Sequence, residues 1–187
     1  MKPIETNQLY LRRWYESDAK DLFAYARLPQ VGPSAGWRPH KTLLDSIDII
    51  RRFIIEDETW AIVEKASRRV IGSVGLHPDN MRSVKECRNL GYVLNPDFWG
   101  HGYATEAAQA ALRFAFLDMG VELVSVSHYP DNSASKKVIQ KCGFFCEGTL
   151  RCSTRKHDGT MMSLVCYSIL KSEYLVLHPE LYYVLGE

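Results

Sequence analysis

The sequence predicts an α/β fold, a mixed sheet with helices on both of its faces. Strand-like and helix-like segments follow one another in the order β-α-α-β-β-β-α-β-α-β-β. Strands that share a helical crossover are usually parallel neighbours, whereas the other strands can pair as antiparallel hairpins. The chain has 187 residues, of which 46% are hydrophobic and 24% charged. That composition is typical of a globular protein, and the length fits one domain over residues 1–187 with a sizeable core.

The first half of the chain is predicted to contain a strand, two helices and a hairpin. The predicted elements are a strand over residues 9–14, a helix over 18–27, a loop over 29–39, a helix over 43–56, and strands over 60–65 and 70–77. Ser17 is a candidate N-cap of the first helix, because its hydroxyl can accept a bond from the first turn. Glycines and prolines predict the loop, and apolar residues at helical spacing predict the second helix.

The second half is predicted to add four strands and two helices. The predicted elements are a strand over residues 85–94, a helix over 104–119, a strand over 123–129, a helix over 132–142, and strands over 144–153 and 161–170. Gly143 follows the second of these helices, where a glycine is typical of a left-handed C-terminal cap. The tail over residues 171–187 is rich in Leu and Tyr, which predicts that it docks on its own core or covers a second copy in a homodimer.

Charge and cysteine content exclude several classes of protein. With 23 basic and 22 acidic side chains, the chain lacks the basic excess of a general nucleic-acid or anionic-membrane binder. The five cysteines are scattered without a C-x-x-C pair, which predicts reduced thiols and neither a disulfide framework nor a zinc site. Neither a signal-peptide core nor a run of transmembrane length is present, so a cytoplasmic location is expected.

A glycine-containing loop between a predicted strand and the strongest predicted helix is the most informative motif. It reads Trp-Gly-His-Gly-Tyr-Ala-Thr-Glu over residues 99–106. Gly100 and Gly102 allow a tight bend, and the free N–H groups of the following helix favour an anion such as a phosphate. The dinucleotide fingerprint G-x-G-x-x-G fails at Thr105, and the lysine of a Walker A loop is absent. Two glycines that merely turn the chain into a helix are the structural alternative.

Together with two later motifs, this loop resembles GNAT acetyltransferases. In the family's pyrophosphate motif, Q/R-x-x-G-x-G/A, Gly102 and Ala104 match, and Trp99 stands where Gln or Arg is commonest. The form W-G-x-G-Y-A-T-E-A is close to that of the ribosomal-protein N-terminal (RimJ/RimL-like) branch. The pairs Asn132-x-x-Ser135 and Lys-Cys-Gly-Phe at 141–144 resemble the same branch, as does Gly-Trp-Arg-Pro-His at 36–40. The resemblance covers residues 6–170.

The resemblance implies a single-domain GNAT fold in which two central parallel strands, here those ending near Leu94 and Tyr129, splay apart in a V. It implies acetyl-CoA as acyl donor and no metal. The pantetheine arm is expected to pair with the backbone of Tyr92, Val93, Leu94 and Asn95, and the N–H of Leu94 to polarise the thioester carbonyl as a catalytic oxyanion donor. The remaining expected coenzyme-binding residues are Trp99, Gly100, His101, Gly102, Tyr103, Ala104, Thr105, Asn132, Ser135 and Lys137.

The family reaction is direct attack of a neutral amine on the thioester, which needs a proton acceptor and a proton donor. The tyrosine that serves as acid in many GNATs is replaced by Ile139. The resemblance then implies Ser135 as the catalytic acid. The alternative is that the Ser135 hydroxyl only bonds to the backbone of its own helix. The glutamate proposed as base in the ribosomal branch falls near Thr154, and no base is predicted. Weak candidates are Asp79, Glu86, Glu147 and His77.

Because no base is predicted, the sequence favours an acceptor amine with a low pKa, which is already partly neutral near pH 7.5. An α-amine with a pKa of about 7.8 is roughly one-third neutral near pH 7.5, whereas a lysine of pKa about 10.4 is neutral about once in 800. A protein N-terminus is therefore the first hypothesis for the acceptor. A small-molecule acetyltransferase acting on a polyamine, amino sugar, amino acid or antibiotic is the second, and a non-catalytic acyl-CoA-binding module the third. Trp37 and His40 are expected to contact the acceptor.

Overall fold

A computed structural model describes residues 1–181 of the chain. Its strands are β1 (Ile4–Glu5), β2 (Leu9–Arg12), β3 (Thr59–Glu64), β4 (Val70–Pro78), β5 (Cys87–Leu94), β6 (Leu123–His128), β7 (Phe145–Arg155) and β8 (Met161–Leu170). Its helices are α1 (Ala19–Ala26), α2 (Leu43–Glu56), α3 (Tyr103–Leu117), α4 (Ser133–Lys141) and α5 (Lys171–Leu177). The strands form one 8-stranded sheet in the order β1-β2-β3-β4-β5-β6-β8-β7.

The sheet confirms the predicted fold class. All neighbouring strands are antiparallel except β5 and β6, which are parallel and joined through the crossover helix α3. Neighbouring residues of β3 face opposite sides: Trp60 and Ile62 belong to a core under α3 and α4, whereas Ala61 and Val63 belong to a core under α1 and α2. Helices therefore cover both faces, and the central strands are buried on each side.

The predicted elements differ from the structure mainly at their ends. The bounds of α2 are those predicted, and Gly143 has the left-handed φ of 82° expected after α4. Ser17 is not the N-cap of α1; it lies in a 3-10 turn, and Asp18 occupies the cap position, with its carboxylate bonded to Arg12 and not to the first turn of α1. The two-residue strand β1 and the helix α5 were not predicted, β1 because two residues carry no periodicity.

The described part of the tail docks on the core of its own chain. Tyr174, Leu175 and Leu181 are buried, and the ring of Tyr174 lies 4.8 Å from that of Phe116 in α3. The predicted tail contacts of Tyr182 and Tyr183 lie outside the described residues. Within residues 1–181, no helix is both long and apolar enough to cross a membrane.

The parallel pair β5–β6 comes apart after three residue pairs. Cys87, Arg88 and Asn89 pair with residues 123–125, whereas β4 stays paired with β5 as far as Leu94, and β8 with β6 as far as His128. Residues 90–94 and 126–128 thus face each other without pairing, and we call the space between them the gap. This is the V-shaped splay that the resemblance implies.

Candidate active site

The gap opens into a cavity of about 680 Å³ that reaches both faces of the sheet. On the face of α3 and α4 it is bordered by the glycine loop and the first turns of both helices. On the face of α1 and α2 it is bordered by the loop containing Trp37 and by small side chains of β4 and β5. A ligand could therefore enter from either face and meet a second ligand in the gap.

Backbone groups of β5 are directed into the gap. The N–H of Asn95 donates to the carbonyl of Ile71 at 2.7 Å, which fixes the phase of the β4–β5 ladder. Because hydrogen-bonding direction alternates along an antiparallel pair, the peptide groups of Val93 also point at β4, whereas those of Tyr92 and Leu94 point into the gap. The expected backbone contacts with pantetheine are thus available at Tyr92 and Leu94, and not at Val93 and Asn95.

The glycine loop presents free amides to the cavity. Gly100 and Gly102 have φ angles of 82° and 84°, the left-handed region that favours glycine. Gly102 is the N-cap of α3 and provides no side-chain bond, so the first amides of that helix have no partner within it. These amides, with the positive end of the helix dipole, are suited to a pyrophosphate. Ala104 and Thr105 line the cavity here.

Two aromatic residues fix the loop rather than offer polar groups to a ligand. Trp99 donates its indole N–H to the carbonyl of Leu94 at 2.9 Å, and the hydroxyl of Tyr103 donates to Glu64 at 2.6 Å. The His101 ring stacks on Tyr103, with ring centroids 5.5 Å apart, and does not line the cavity. The expected contact of His101 with the coenzyme therefore has no support in the position of its side chain.

A hydroxyl pair lies where α4 begins. The hydroxyl oxygens of Tyr92 and Ser135 are 2.7 Å apart, and both side chains line the cavity. Burial raises the pKa of Tyr92, so its hydroxyl stays protonated. Asn132 accepts a bond from the Ser135 N–H at 3.0 Å and so caps the N-terminus of α4. Lys137 also lines the cavity.

Of the two residues predicted to contact the acceptor, Trp37 and His40, one lines the cavity and the other does not. Trp37 lines the cavity. His40 does not: its Nδ1 lies 2.8 Å from the Ser46 hydroxyl, and its ring supports that of Trp37 at a centroid distance of 5.4 Å. Burial lowers the pKa of His40, which fits a neutral bracing residue. The ring of His40 thus contacts Ser46 and Trp37, and its expected contact with the acceptor stays a prediction.

Several cavity residues were missed by the sequence analysis. They lie on neighbouring strands and are Ser73, Gly75, Asn89, Gly91, Ser127 and His128, together with His77, which the sequence offered only as one of four weak base candidates. The alternation of small residues along β4, Ser73 and Gly75, was the sequence signal that could have indicated a cavity on that face of the sheet. His128 is buried, with Nδ1 at 2.7 Å from the Tyr129 carbonyl and Nε2 at 3.2 Å from the Tyr167 hydroxyl.

The ionisable side chains of the cavity are mainly basic. Within the described residues, neither Asp nor Glu lines it; its charged residues are Arg52, Lys137 and Lys141, with His77 and His128. Burial raises the pKa of the Cys142 thiol to about 12, which suits a packed thiol and not a nucleophile. Among residues 1–181, no cluster of three or more His, Cys, Asp or Glu side chains is arranged to hold a metal ion.

Comparisons with known proteins agree with this geometry. A sequence model of the acetyltransferase (GNAT) domain matches residues 8–145. The uncharacterized N-acetyltransferase YoaA of Bacillus subtilis is 27% identical over 173 residues, covering 90% of this chain and 96% of that protein.

Two solved structures share the fold. Ribosomal-protein-S5-alanine acetyltransferase from Vibrio fischeri superposes with a TM-score of 0.76 at 18% identity, covering 93% of this chain and 99% of that one. Microcin C7 self-immunity acetyltransferase MccE, solved with acetyl-CoA and AMP, superposes with a TM-score of 0.75 at 22% identity, covering 88% and 93%. At these identities the structures establish a common fold and do not establish a common substrate.

Proposed function

This chain belongs to the GNAT acetyltransferase family, and we propose that it acetylates the α-amine at the N-terminus of a protein. It is an acetyl-CoA-dependent N-acetyltransferase. The proposal concerns the acceptor and the residues that act on it. The observation that carries it is the absence of Asp and Glu from the cavity lining within the described residues.

An acceptor with several positive charges would need carboxylates in its pocket, because buried or confined charges must be paired. The acceptor side of this cavity instead contains Trp37, Ser73 and Asn89, together with Arg52 at its outer rim. Arg52 is exposed, with its Nε 3.4 Å from Glu56 on the same helix. This lining disfavours a polyamine or a polycationic antibiotic and suits a single amine on a largely neutral group.

The resemblance to the ribosomal-protein branch supports a protein N-terminus, as does the ease with which an α-amine becomes neutral near pH 7.5. A small acceptor with one amine, such as an amino acid or amino sugar derivative, is the second candidate, because MccE shares the fold and was solved with AMP. A non-catalytic binding module is disfavoured by family membership.

The proposed reaction uses the gap for both substrates. The thioester lies along Tyr92–Leu94, where the Leu94 N–H donates to the carbonyl oxygen as negative charge develops on it. Such a donor is worth about 3 kcal/mol of transition-state stabilisation in other enzymes. The amine nitrogen attacks the carbonyl carbon, the C–S bond breaks, and the thiolate takes a proton at the hydroxyl pair Tyr92–Ser135, 2.7 Å apart.

The acceptor is tested by measuring release of free coenzyme A thiol with a panel of amines. The panel contains hexapeptides beginning with Ala or Ser, the same peptides with an acetylated N-terminus, spermidine, and glucosamine. We expect turnover with the free peptides and none with the blocked ones. Preference for spermidine or glucosamine over every free peptide by tenfold or more in kcat/KM would contradict the proposal.

The hydroxyl pair gives a second expected result. Ser135→Ala should lower kcat about 100-fold, within the usual range for a general acid. Tyr92→Phe should lower kcat less, since it removes only the partner of Ser135. Ser133→Ala is the matched control, because Ser133 is exposed in the same first turn and does not line the cavity. A Ser135→Ala enzyme as fast as the Ser133→Ala control would exclude the acid role.

A cytoplasmic location is part of the same proposal, since acetyl-CoA is an intracellular metabolite. We also propose a homodimer, supported by α5, where Val176 is 71% exposed beside residues that dock on the core. Sedimentation at micromolar concentration distinguishes monomer from dimer.

A further inference from the structure

We propose that the imidazole of His77, oriented by Glu58, is the base that removes a proton from the acceptor amine. This inference rests on the transferase activity and not on which amine is acetylated. His77 lies on β4 and pairs with Asn89 of β5, which in turn pairs with Ser125 of β6. That is the last residue pair before the two strands separate, so the imidazole is placed beside the vertex of the gap.

Two glycines make room for the ring on this face of the sheet. A Cβ atom at Gly75 would lie 2.7 Å from the His77 Nε2, closer than real Cβ contacts allow. A Cβ atom at Gly91 would lie 3.6 Å from the same nitrogen. The Nε2 edge of the imidazole thus lies over Gly75 of β4 and Gly91 of β5, next to Tyr92 in sequence. Its Nε2 is held close to the strand that borders the thioester position.

The orientation of the ring follows from its neighbour. The Nδ1 of His77 is 3.2 Å from the Glu58 carboxylate, which can only accept a bond when ionised. In the neutral imidazole, this contact favours the tautomer in which Nδ1 carries the proton and Nε2 the lone pair. Nε2 has no hydrogen-bond partner among residues 1–181, and the side chain is 38% exposed, so a substrate can reach it. Glu58 is a positioning residue in this arrangement.

Other candidates in the cavity are already engaged. Both nitrogens of His128 are bonded, one to the Tyr129 carbonyl and one to the Tyr167 hydroxyl. No carboxylate lines the cavity within the described residues, and Lys137 and Lys141 lie at its α4 end, on the face opposite to His77. His77 is the lining imidazole whose second nitrogen is open.

The base and the acid would then lie on opposite faces of the sheet. His77 shares its face with Gly75, Gly91 and Val93, on the side of α1 and α2, because cross-strand partners and alternate residues share a face. Tyr92 points to the other side and meets Ser135 of α4. The amine can therefore enter from one side while the thiol leaves from the other.

The proton balance of the reaction is complete with these groups. The ammonium of the acceptor carries three protons. One passes to His77 Nε2 and then to water, and the freed lone pair attacks the thioester carbon. The C–S bond breaks with its electron pair on sulfur, a second proton passes to that sulfur through the hydroxyl pair, and the third stays on the amide product.

The test compares His77→Ala, Glu58→Gln and a matched control, His178→Ala. His178 also has its Nδ1 beside a glutamate, at 3.3 Å from Glu180, but it does not line the cavity. We expect His77→Ala to lower kcat/KM for the acceptor by about 10²–10⁴-fold with unchanged acetyl-CoA affinity. Added free imidazole should restore part of the rate. Glu58→Gln should give a smaller loss, and His178→Ala none.

The pH profile separates a base from a structural residue. The defect of His77→Ala should be largest below the pKa of the acceptor amine, about 7.8 for a peptide N-terminus, and smaller above it, where the amine is already neutral. A loss that is equal at all pH values and not restored by imidazole overturns the proposal, as does a loss below threefold.

The acceptor used is whichever of the peptides, spermidine or glucosamine the wild type acetylates. Turnover of a small amine and not of peptides overturns the acceptor proposal and leaves the base testable. A wild type that turns over none of these amines overturns the base proposal as well.

Discussion

A Gly102→Leu variant is expected to bind acetyl-CoA about 100-fold or more weakly while remaining folded. Gly102 has a φ of 84° and is the N-cap of α3, and a Cβ atom there meets nothing within 4 Å in the free protein. The leucine side chain would therefore occupy the cavity itself, in front of the free amides. Losing one or two bonds from these amides to a charged phosphate, at about 1.5–3 kcal/mol each, accounts for the size of the effect.

Gly120→Leu is the control for the backbone part of this change. Gly120 also has a positive φ, 66°, and equally open space around its Cα, but it does not line the cavity. Both variants should lose about 1–2 kcal/mol of stability from the left-handed conformation, and Gly120→Leu should bind as the wild type does. Isothermal titration with acetyl-CoA measures both. Equal affinities for the two variants would mean that the coenzyme does not use the loop at 100–105.

The largest loss of stability is expected from Trp60→Ala, about 3–5 kcal/mol in the free energy of unfolding. Trp60 is completely buried in β3, and its ring meets that of Phe114 edge-on, with centroids 5.1 Å apart. Its indole N–H donates to the Lys2 carbonyl at 2.9 Å. The side chain thus joins the sheet to α3 and to the N-terminal segment, and no single neighbour can fill its volume.

Urea unfolding followed by circular dichroism measures this loss. Ile55→Ala is the control, since Ile55 is 82% exposed on α2 and its truncation should change stability by no more than about 0.5 kcal/mol. A loss below about 1 kcal/mol for Trp60→Ala would contradict the packing described for α3.

Elements whose signal is local were predictable from the sequence. The bounds of α2 were predicted from its apolar stripe, and the structure adds that the Thr42 hydroxyl caps its N-terminus by accepting a bond from the Asp45 N–H. The glycine loop was also predictable, because the need for positive φ at Gly100 and Gly102 is a property of the residue type. The gap came only from the family resemblance, since strand separation depends on pairing between distant segments.

The acceptor side of the site could not be assembled from the sequence. Its lining comes from the Trp37 loop and from β4, β5 and β6, which are brought together only by the sheet. In the sequence, His77 is one of several histidines and acids near strand ends. Its distinguishing feature, the closeness of its ring to Gly75 and Gly91, depends on the pairing of β4 with β5. Conversely, His40 lies in a loop that resembles a family motif, but its ring contacts Ser46 and Trp37 and does not line the cavity.

The short β5–β6 pairing has a mechanical consequence. Within residues 1–181 the β5–β6 ladder has three residue pairs, extended at its start by a bond from the Glu122 N–H to the Glu86 carbonyl, so β1–β5 and β6–β8 form two half-sheets with a short connection at the centre. Amides of Tyr92 and Leu94 then behave as those of an outer strand although they lie in the middle of the molecule. A peptide-like chain that bonds to these amides would stabilise the two half-sheets against each other. The gap between β5 and β6 is therefore expected to be most rigid while the donor substrate is bound and to open most easily after the product leaves.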